Sequence, residues 1–200
     1  MNTDVTFGYP VVLDLHDVPV LVVGAGPVAA RKIEGLLAAG AAVRVVAPEV
    51  AGELEQVVEV RRRAYEPADL DGVRLVVTAT GVETVDAAVA ADARERGIWV
   101  NAADRPADCG FILPAIARQG AVSIAVSTDG RSPALARHLR DRIAPMLTPE
   151  LAALAGELAA ERAAIKQAGG STEDHDWSPR IEAALGDAGS SAPNAPTGSG

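Results

Sequence analysis

Pro19-Val20-Leu21-Val22-Val23 is an unbroken apolar, β-branched run that stops at Gly24-Ala25-Gly26-Pro27-Val28-Ala29, and helical spacing begins at once after it. A strand buried on both faces reads as such a run. The order G-x-G-x-x-A between a buried strand and a helix is the phosphate-binding turn of a dinucleotide fold. Gly24 permits the tight turn, Gly26 lets the backbone approach a pyrophosphate, and Ala29 lets the helix lie close to the strand. Pro27 and Val28 open the helix, where free N–H groups meet phosphate charge and the proline presets the backbone. The plainer alternative, a glycine-rich turn that holds no ligand, does not account for the flanking strand and helix.

The second half of the fingerprint is less regular. An acidic residue about 20 positions on normally binds the ribose hydroxyls; here Ala47 and Pro48 come first and Glu49 follows, so Pro48 and Glu49 form the expected cofactor edge. No arginine follows that strand to take a 2′-phosphate, which favours NAD over NADP. Thr78-Ala79-Thr80-Gly81 ends a further strand with small hydroxylated residues. Thr78 and Thr80 therefore fall at the carboxyl edge, where open α/β sheets bind ligands, unless the segment is an ordinary strand-to-helix turn.

The rest of the first half alternates. Strands are expected at 43–46, 57–60, 75–78 and 98–100, and helical stretches at 27–39, about 50–54 and 83–96. This order implies an α/β class with a doubly wound parallel sheet. After Asp104 the pattern changes. Ile112 and Ile116 against Val122, Ile124 and Val126 read as a hairpin around Arg118-Gln119-Gly120. Ser132-Pro133 and Thr148-Pro149 are helix starts, each with a capping hydroxyl before a proline, and the helices run to about Met146 and Gln167. A weaker start at Ser178-Pro179 opens a helix to about Leu185, beyond a linker at 169–172. The remainder, rich in Gly, Ser, Ala, Pro and Asn, is expected to be disordered. The expected organisation is a Rossmann-type domain at 1–113, a hairpin-and-helix region at 114–147, a small helical domain at 148–186 and a tail at 187–200.

Composition narrows the function classes. A net charge of −9 opposes a role in coating nucleic acid, which needs a dominant basic face. The single cysteine, Cys109, excludes an internal disulfide, and no apolar stretch reaches the roughly 18 residues of a membrane helix. The opening Met1-Asn2-Thr3-Asp4 carries no secretory pattern, so a cytoplasmic location is expected. His16, His138 and His175 are scattered without metal-ligand spacing, and no zinc site is expected.

What is oxidised does not follow from these patterns. Tyr9-Pro10-Val11-Val12-Leu13-Asp14-Leu15, the stretch from Val22 to Lys32, Val100-Asn101-Ala102-Ala103-Asp104, Phe111-Ile112-Leu113-Pro114, and the stretch from Ser127 to Ala136 resemble, in order, the motifs of the precorrin-2 dehydrogenase family. That family includes the N-terminal half of multifunctional siroheme synthases. The resemblance implies NAD as oxidant, precorrin-2 as substrate, sirohydrochlorin as product, and a homodimer intertwined from near Pro114. In part of the family it also implies iron insertion into sirohydrochlorin, a lyase reaction with Fe2+ as substrate ion. The methyltransferase half has no counterpart among these residues.

Asp104 matches the family's proposed catalytic aspartate, and Asn101 lies in the same Asn-x-x-Asp stretch beside the cofactor. Removing a hydride and a proton from the macrocycle suits a carboxylate as general base, although residue type alone would let Asp104 merely terminate its strand. Precorrin-2 carries several carboxylate arms. Thr128, Gly130, Arg131 and Ser132, at a helix start rich in donors, together with Arg105, are the candidates to hold them, with Arg118 in reserve; a capped helix with solvated arginines is the alternative. Thr128 replaces a serine found in some members. The competing class is a Rossmann module that senses NAD or NADH without catalysis. A short-chain reductase is excluded, because Tyr9 and Tyr65 are the only tyrosines and neither begins Tyr-x-x-x-Lys.

Overall fold

The computed structural model describes residues 8–50, 54–173 and 175–189, with the side chains of 55 and 185–189 excepted. The chain divides into two compact units, Met1–Leu113 and Pro114–Gly200.

The first unit is a five-stranded parallel sheet of order β3-β2-β1-β4-β5. Its strands are β1 (Pro19–Val23), β2 (Ala42–Val46), β3 (Glu59–Arg61), β4 (Leu75–Thr78) and β5 (Trp99–Ala102). Helix α1 (Pro27–Ala38) follows β1, and α2 (Glu83–Glu95) follows β4. The continuous apolar run of β1 is explained by cover on both faces. Val20 and Val22 meet Ala29, Ile33 and Leu36 of α1 in one core, while Leu21 and Val23 meet Val89, Ala90 and Ala93 of α2 in the other.

Two strands are displaced from their expected positions. β3 begins at Glu59, which pairs with Arg44, because Val57 is largely exposed after a 3-10 turn at Leu54–Gln56. That turn is the only helical structure described near the stretch expected at 50–54; residues 51–53 lie outside the described residues. β5 continues to Ala102, which pairs with Thr78.

The second unit holds the hairpin β6 (Ala115–Gln119) and β7 (Val122–Val126), then α3 (Pro133–Ile143), α4 (Pro149–Gln167) and α5 (Ser178–Gly189). Gly120, at φ +56, takes the first position of a two-residue turn, where an L side chain would be strained. The hairpin's facing differs from the alternation read in the sequence. Ala115, Ala117 and Gln119 pair with Val126, Ile124 and Val122, whereas Ile116 pairs with Ala125 on the more exposed face. Ile112 precedes the strand, because Phe111 packs against the α1-side core and its carbonyl accepts from Asn101. Ser132 and Thr148 cap α3 and α4 by accepting from the Leu135 and Leu151 amides at 3.2 and 3.3 Å. α3 and α4 both pack on the hairpin, and α5 packs on α4, where Arg180 pairs with Glu157 at 2.7 Å. α5 passes Leu185 and runs to Gly189; the remaining residues of the expected tail lie outside the described residues. Among the described residues no helix is long and apolar enough to cross a membrane.

Candidate functional site

The strand order reverses between β1 and β4, and the loops that follow these two strands part there to open a crevice at the carboxyl edge of the sheet. Gly24 follows β1 at φ +105, and a Cβ placed on it would fall onto the Ala79 carbonyl oxygen, 2.7 Å from the carbonyl carbon and 3.0 Å from the Thr80 nitrogen. Both backbone angle and contact demand glycine. Gly26 is different: its backbone is extended, and a Cβ there would meet nothing within 4 Å. The missing side chain leaves open space above the start of α1. No side chain caps that helix, and Pro27 occupies its first turn. Uncapped amides facing open space suit a pyrophosphate, so these residues fit a dinucleotide.

The crevice encloses about 740 Å³ and is lined by Gly24–Gly26, Ala47–Val50, Ala64, Tyr65, Thr80 and the first turns of α2. Its size and mainly apolar lining match small-molecule sites. Pro48 and Glu49 both line it, with Glu49 exposed and available to ribose hydroxyls. Val28 is exposed on the first turn of α1, while Ala29 is fully buried where helix and sheet meet.

Buried carboxylates shape both walls. Asp86, 4% exposed, accepts from the Thr78 hydroxyl, and from the Thr80 amide and hydroxyl at 3.1 and 2.8 Å. Thr80 therefore lines the crevice on a loop tied to α2, whereas Thr78 is fully buried with its hydroxyl turned inward. On the other wall Asp69, also fully buried, accepts from Arg63 at 2.7 and 2.5 Å, from Arg61 at 3.2 Å and from the Glu66 amide at 3.0 Å. This network anchors the segment bearing Ala64 and Tyr65. Tyr65 donates to Asp92 at 2.9 Å, and burial together with that carboxylate pushes its phenol above the ordinary range.

Burial drives the Asp69 carboxyl up, but the bonds from Arg63, Glu66 and Arg61 outweigh it and hold the group below its ordinary value. Asp69→Ala is expected to destabilise the first unit by about 2–3 kcal/mol. That is less than for a fully buried pair, since Arg61 and Arg63 are more than a third exposed and regain water. The matching fall in melting temperature is roughly 10 °C. Because the folded carboxyl titrates below the unfolded one, its stabilisation is complete above about pH 4 and is lost as pH falls through the lower folded value. Melting curves from pH 7 to 2 should therefore converge for wild type and variant at the acid end.

The end of β5 forms a second group. Asn101, 5% exposed, donates to the Phe111 carbonyl at 3.0 Å and accepts from the Lys32 amine at 2.7 Å, so its side chain is directed into the protein and not into the crevice. The Cys109 thiol accepts from the Ala102 amide and donates to the Ala102 carbonyl, both at 3.2 Å. Burial pushes that thiol up, which suits a structural clamp. Beyond the clamp Asp104 is exposed at φ +58, at the same sheet edge as Thr80 but outside the crevice lining. Arg105, expected to bind substrate carboxylates, is held by Glu83 at 2.7 Å and Asp108 at 2.5 Å.

In the second unit, Asp129 at φ +51 and Gly130 at φ +74 form a turn closed by the Arg131 amide on the Thr128 carbonyl at 2.9 Å. The Thr128 hydroxyl accepts from the Ser132 amide and donates to the Ser132 carbonyl, both at 3.0 Å, and Arg131 is exposed. Among the described residues no cluster of three or more His, Cys, Asp or Glu could hold a metal ion.

Asp69 and Asp86 carry no functional signal in the sequence, and Lys32 enters there only as the end of the motif stretch that starts at Val22. The spacing Glu66-Pro67-Ala68-Asp69 does match a capping box, which the structure contains, but box spacing does not reveal burial.

The family described as "Putative NAD(P)-binding" matches residues 11–115, and that described as "Sirohaem biosynthesis protein central" matches residues 119–146. A siroheme synthase of Methylococcus capsulatus is 43% identical over 164 residues, which are 80% of this chain and 35% of that protein. One from Pseudomonas fluorescens is 41% identical over 162 residues, 78% and 35% of the respective lengths. The chain thus spans about a third of the length of these relatives. The solved structure of SirC, a precorrin-2 dehydrogenase, is 30% identical with a TM-score of 0.65, covering 90% of this chain and 88% of that one.

Proposed function

The chain belongs to the precorrin-2 dehydrogenase family, and from that premise we propose that it oxidises precorrin-2 to sirohydrochlorin with NAD as the hydride acceptor. The observation that carries this reading is the exposed carboxylate of Asp104 at the carboxyl edge that also bears the uncapped glycine turn. NAD, when bound, takes up the hydride lost as the macrocycle gains a double bond. The protein's own groups do the rest. The α1 amides and the space above Gly26 hold the pyrophosphate, Glu49 takes the ribose hydroxyls, and Thr80 borders the crevice on the loop fixed by Asp86. The Asp104 carboxylate accepts the proton released with the hydride. Arg105 pairs with Glu83 and Asp108 beside the Asp104 loop and stays a candidate for the carboxylate arms of the substrate.

Anaerobic mixing of the purified protein with precorrin-2 and NAD should give sirohydrochlorin and equimolar NADH absorbance at 340 nm. A protein that binds NADH but never turns over would be the sensing module. A parallel incubation of sirohydrochlorin with Fe2+, without NAD, separates a single-activity enzyme from one that also inserts iron. A homodimer is the assembly expected of this family, and sedimentation at working concentration tests it.

A further inference from the structure

No arginine follows β2 directly in the sequence, but the sheet brings three to its end. Arg61 ends β3 opposite Val46 of β2, and Arg62 and Arg63 come next. The Ala47 amide donates to the Arg61 carbonyl at 3.2 Å, which carries the ladder one bond past the last paired residues. Glu49 and Arg63 therefore leave neighbouring strand ends, and Ala64, the residue after Arg63, lines the crevice together with Pro48 and Glu49. In a dinucleotide fold this edge receives the adenosine ribose. A carboxylate there takes the 2′-hydroxyl of NAD, and an arginine there accommodates the 2′-phosphate of NADP. Residue types at this edge thus suit either cofactor.

The bonds of Arg63 separate the two. Its Nη1 donates to Asp69 Oδ2 at 2.7 Å and its Nη2 to Asp69 Oδ1 at 2.5 Å, a bidentate fork, and Nη1 also donates to the Ala64 carbonyl at 2.9 Å. Asp69 is fully buried and is fixed in turn by the Glu66 amide at 3.0 Å and by Arg61 at 3.2 Å. Arg61 has a second carboxylate in Glu59, at 3.1 Å. The other carboxylate near Arg63, that of Glu66, is 3.9 Å away and mostly exposed, so Asp69 is the group that holds Arg63. A phosphate could recruit this guanidinium only by leaving a buried carboxylate without its bidentate partner, which is strongly unfavourable.

We propose that Asp69 is a specificity-determining residue for the dinucleotide: by holding Arg63 in a buried bidentate pair, it withholds the cation that a 2′-phosphate needs and leaves Glu49 to select NAD. This inference rests on the role given to Glu49 above. Asp69 does not touch the dinucleotide. It acts through Arg63, so its effect appears in the ratio of NADPH to NADH affinity.

The test is fluorescence titration with NADH and with NADPH, alongside melting temperature, in wild type, Asp69→Asn, Asp69→Asn/Arg63→Gln and Glu49→Gln. Asparagine keeps the size of the side chain and removes the charge that holds the guanidinium. Asp69→Asn should raise the NADPH-to-NADH affinity ratio about 10- to 100-fold, the scale of one charge-assisted hydrogen bond. Adding Arg63→Gln should return the ratio to its wild-type value. A merely loosened crevice wall would weaken both dinucleotides alike, so an unmoved ratio in Asp69→Asn overturns the proposal. So does a raised ratio that survives Arg63→Gln. In Glu49→Gln, NADH should bind about 10-fold more weakly and NADPH should gain no preference, because Asp69 still holds Arg63. A preference for NADPH in Glu49→Gln overturns the proposal, and that titration decides alone where Asp69→Asn does not fold. Unchanged NADH affinity in Glu49→Gln removes the role of Glu49 itself, and that of Asp69 with it.

Discussion

Gly24→Ala abolishes dinucleotide binding and lowers the melting temperature by more than 10 °C or so, whereas Gly26→Ala loses affinity alone. At Gly24 a methyl group must adopt φ +105 and overlap the Ala79 carbonyl. Backbone strain of about 1–3 kcal/mol adds to overpacking of a further ~1–3 kcal/mol. The β4 loop cannot yield freely, since Asp86 ties Thr80 to α2 through two bonds. At Gly26 the methyl enters empty space, and the backbone is already extended. The fold is untouched, but the methyl takes the place through which a pyrophosphate approaches the α1 amides. Losing one or two charge-assisted hydrogen bonds there amounts to roughly a 10- to 100-fold weaker complex. Thermal melts and NADH fluorescence titrations of both variants read the contrast directly. Wild-type affinity in Gly26→Ala would place the dinucleotide elsewhere.

Asp104→Asn reduces precorrin-2 oxidation by about 10²- to 10⁴-fold, the usual contribution of a general base, with NADH binding and melting temperature unchanged. Asparagine is the informative replacement. Asp104 sits at φ +58, a conformation that asparagine tolerates far better than most residues, so only the charge is removed. Alanine at this position would add backbone strain of about 1 kcal/mol and confuse a lost base with a displaced loop. A turnover number equal to that of wild type would take Asp104 out of the chemistry.

The consequences of these substitutions differ in how far the sequence foreshadows them. The glycine turn, the paired Ser-Pro and Thr-Pro helix starts and the β1 run are local: backbone angles, capping geometry and two-sided burial act within a few residues, and the pattern of residue types records them. Asp104 was accessible only through a resemblance, because an Asp after a strand is an ordinary turn residue. The hairpin facing was not legible, since a one-residue shift in pairing exchanges its faces and both carry apolar side chains. Ile116 accordingly pairs with Ala125 and not with the apolar set of Val122, Ile124 and Val126.

The sequence by itself determined the parallel α/β sheet, the dinucleotide turn and the capped helices of the second unit, because each rests on short-range stereochemistry and periodic burial. Only the tertiary structure decided which polar groups line the crevice and which are bonded within the fold. Thr78 and Asn101 are turned inward, and Arg105 is claimed by two carboxylates. Asp69, Asp86 and Lys32 act over sequence separations of up to 69 residues. A hydrogen bond between distant segments depends on where the whole sheet brings them, and no local pattern of residue types encodes that meeting.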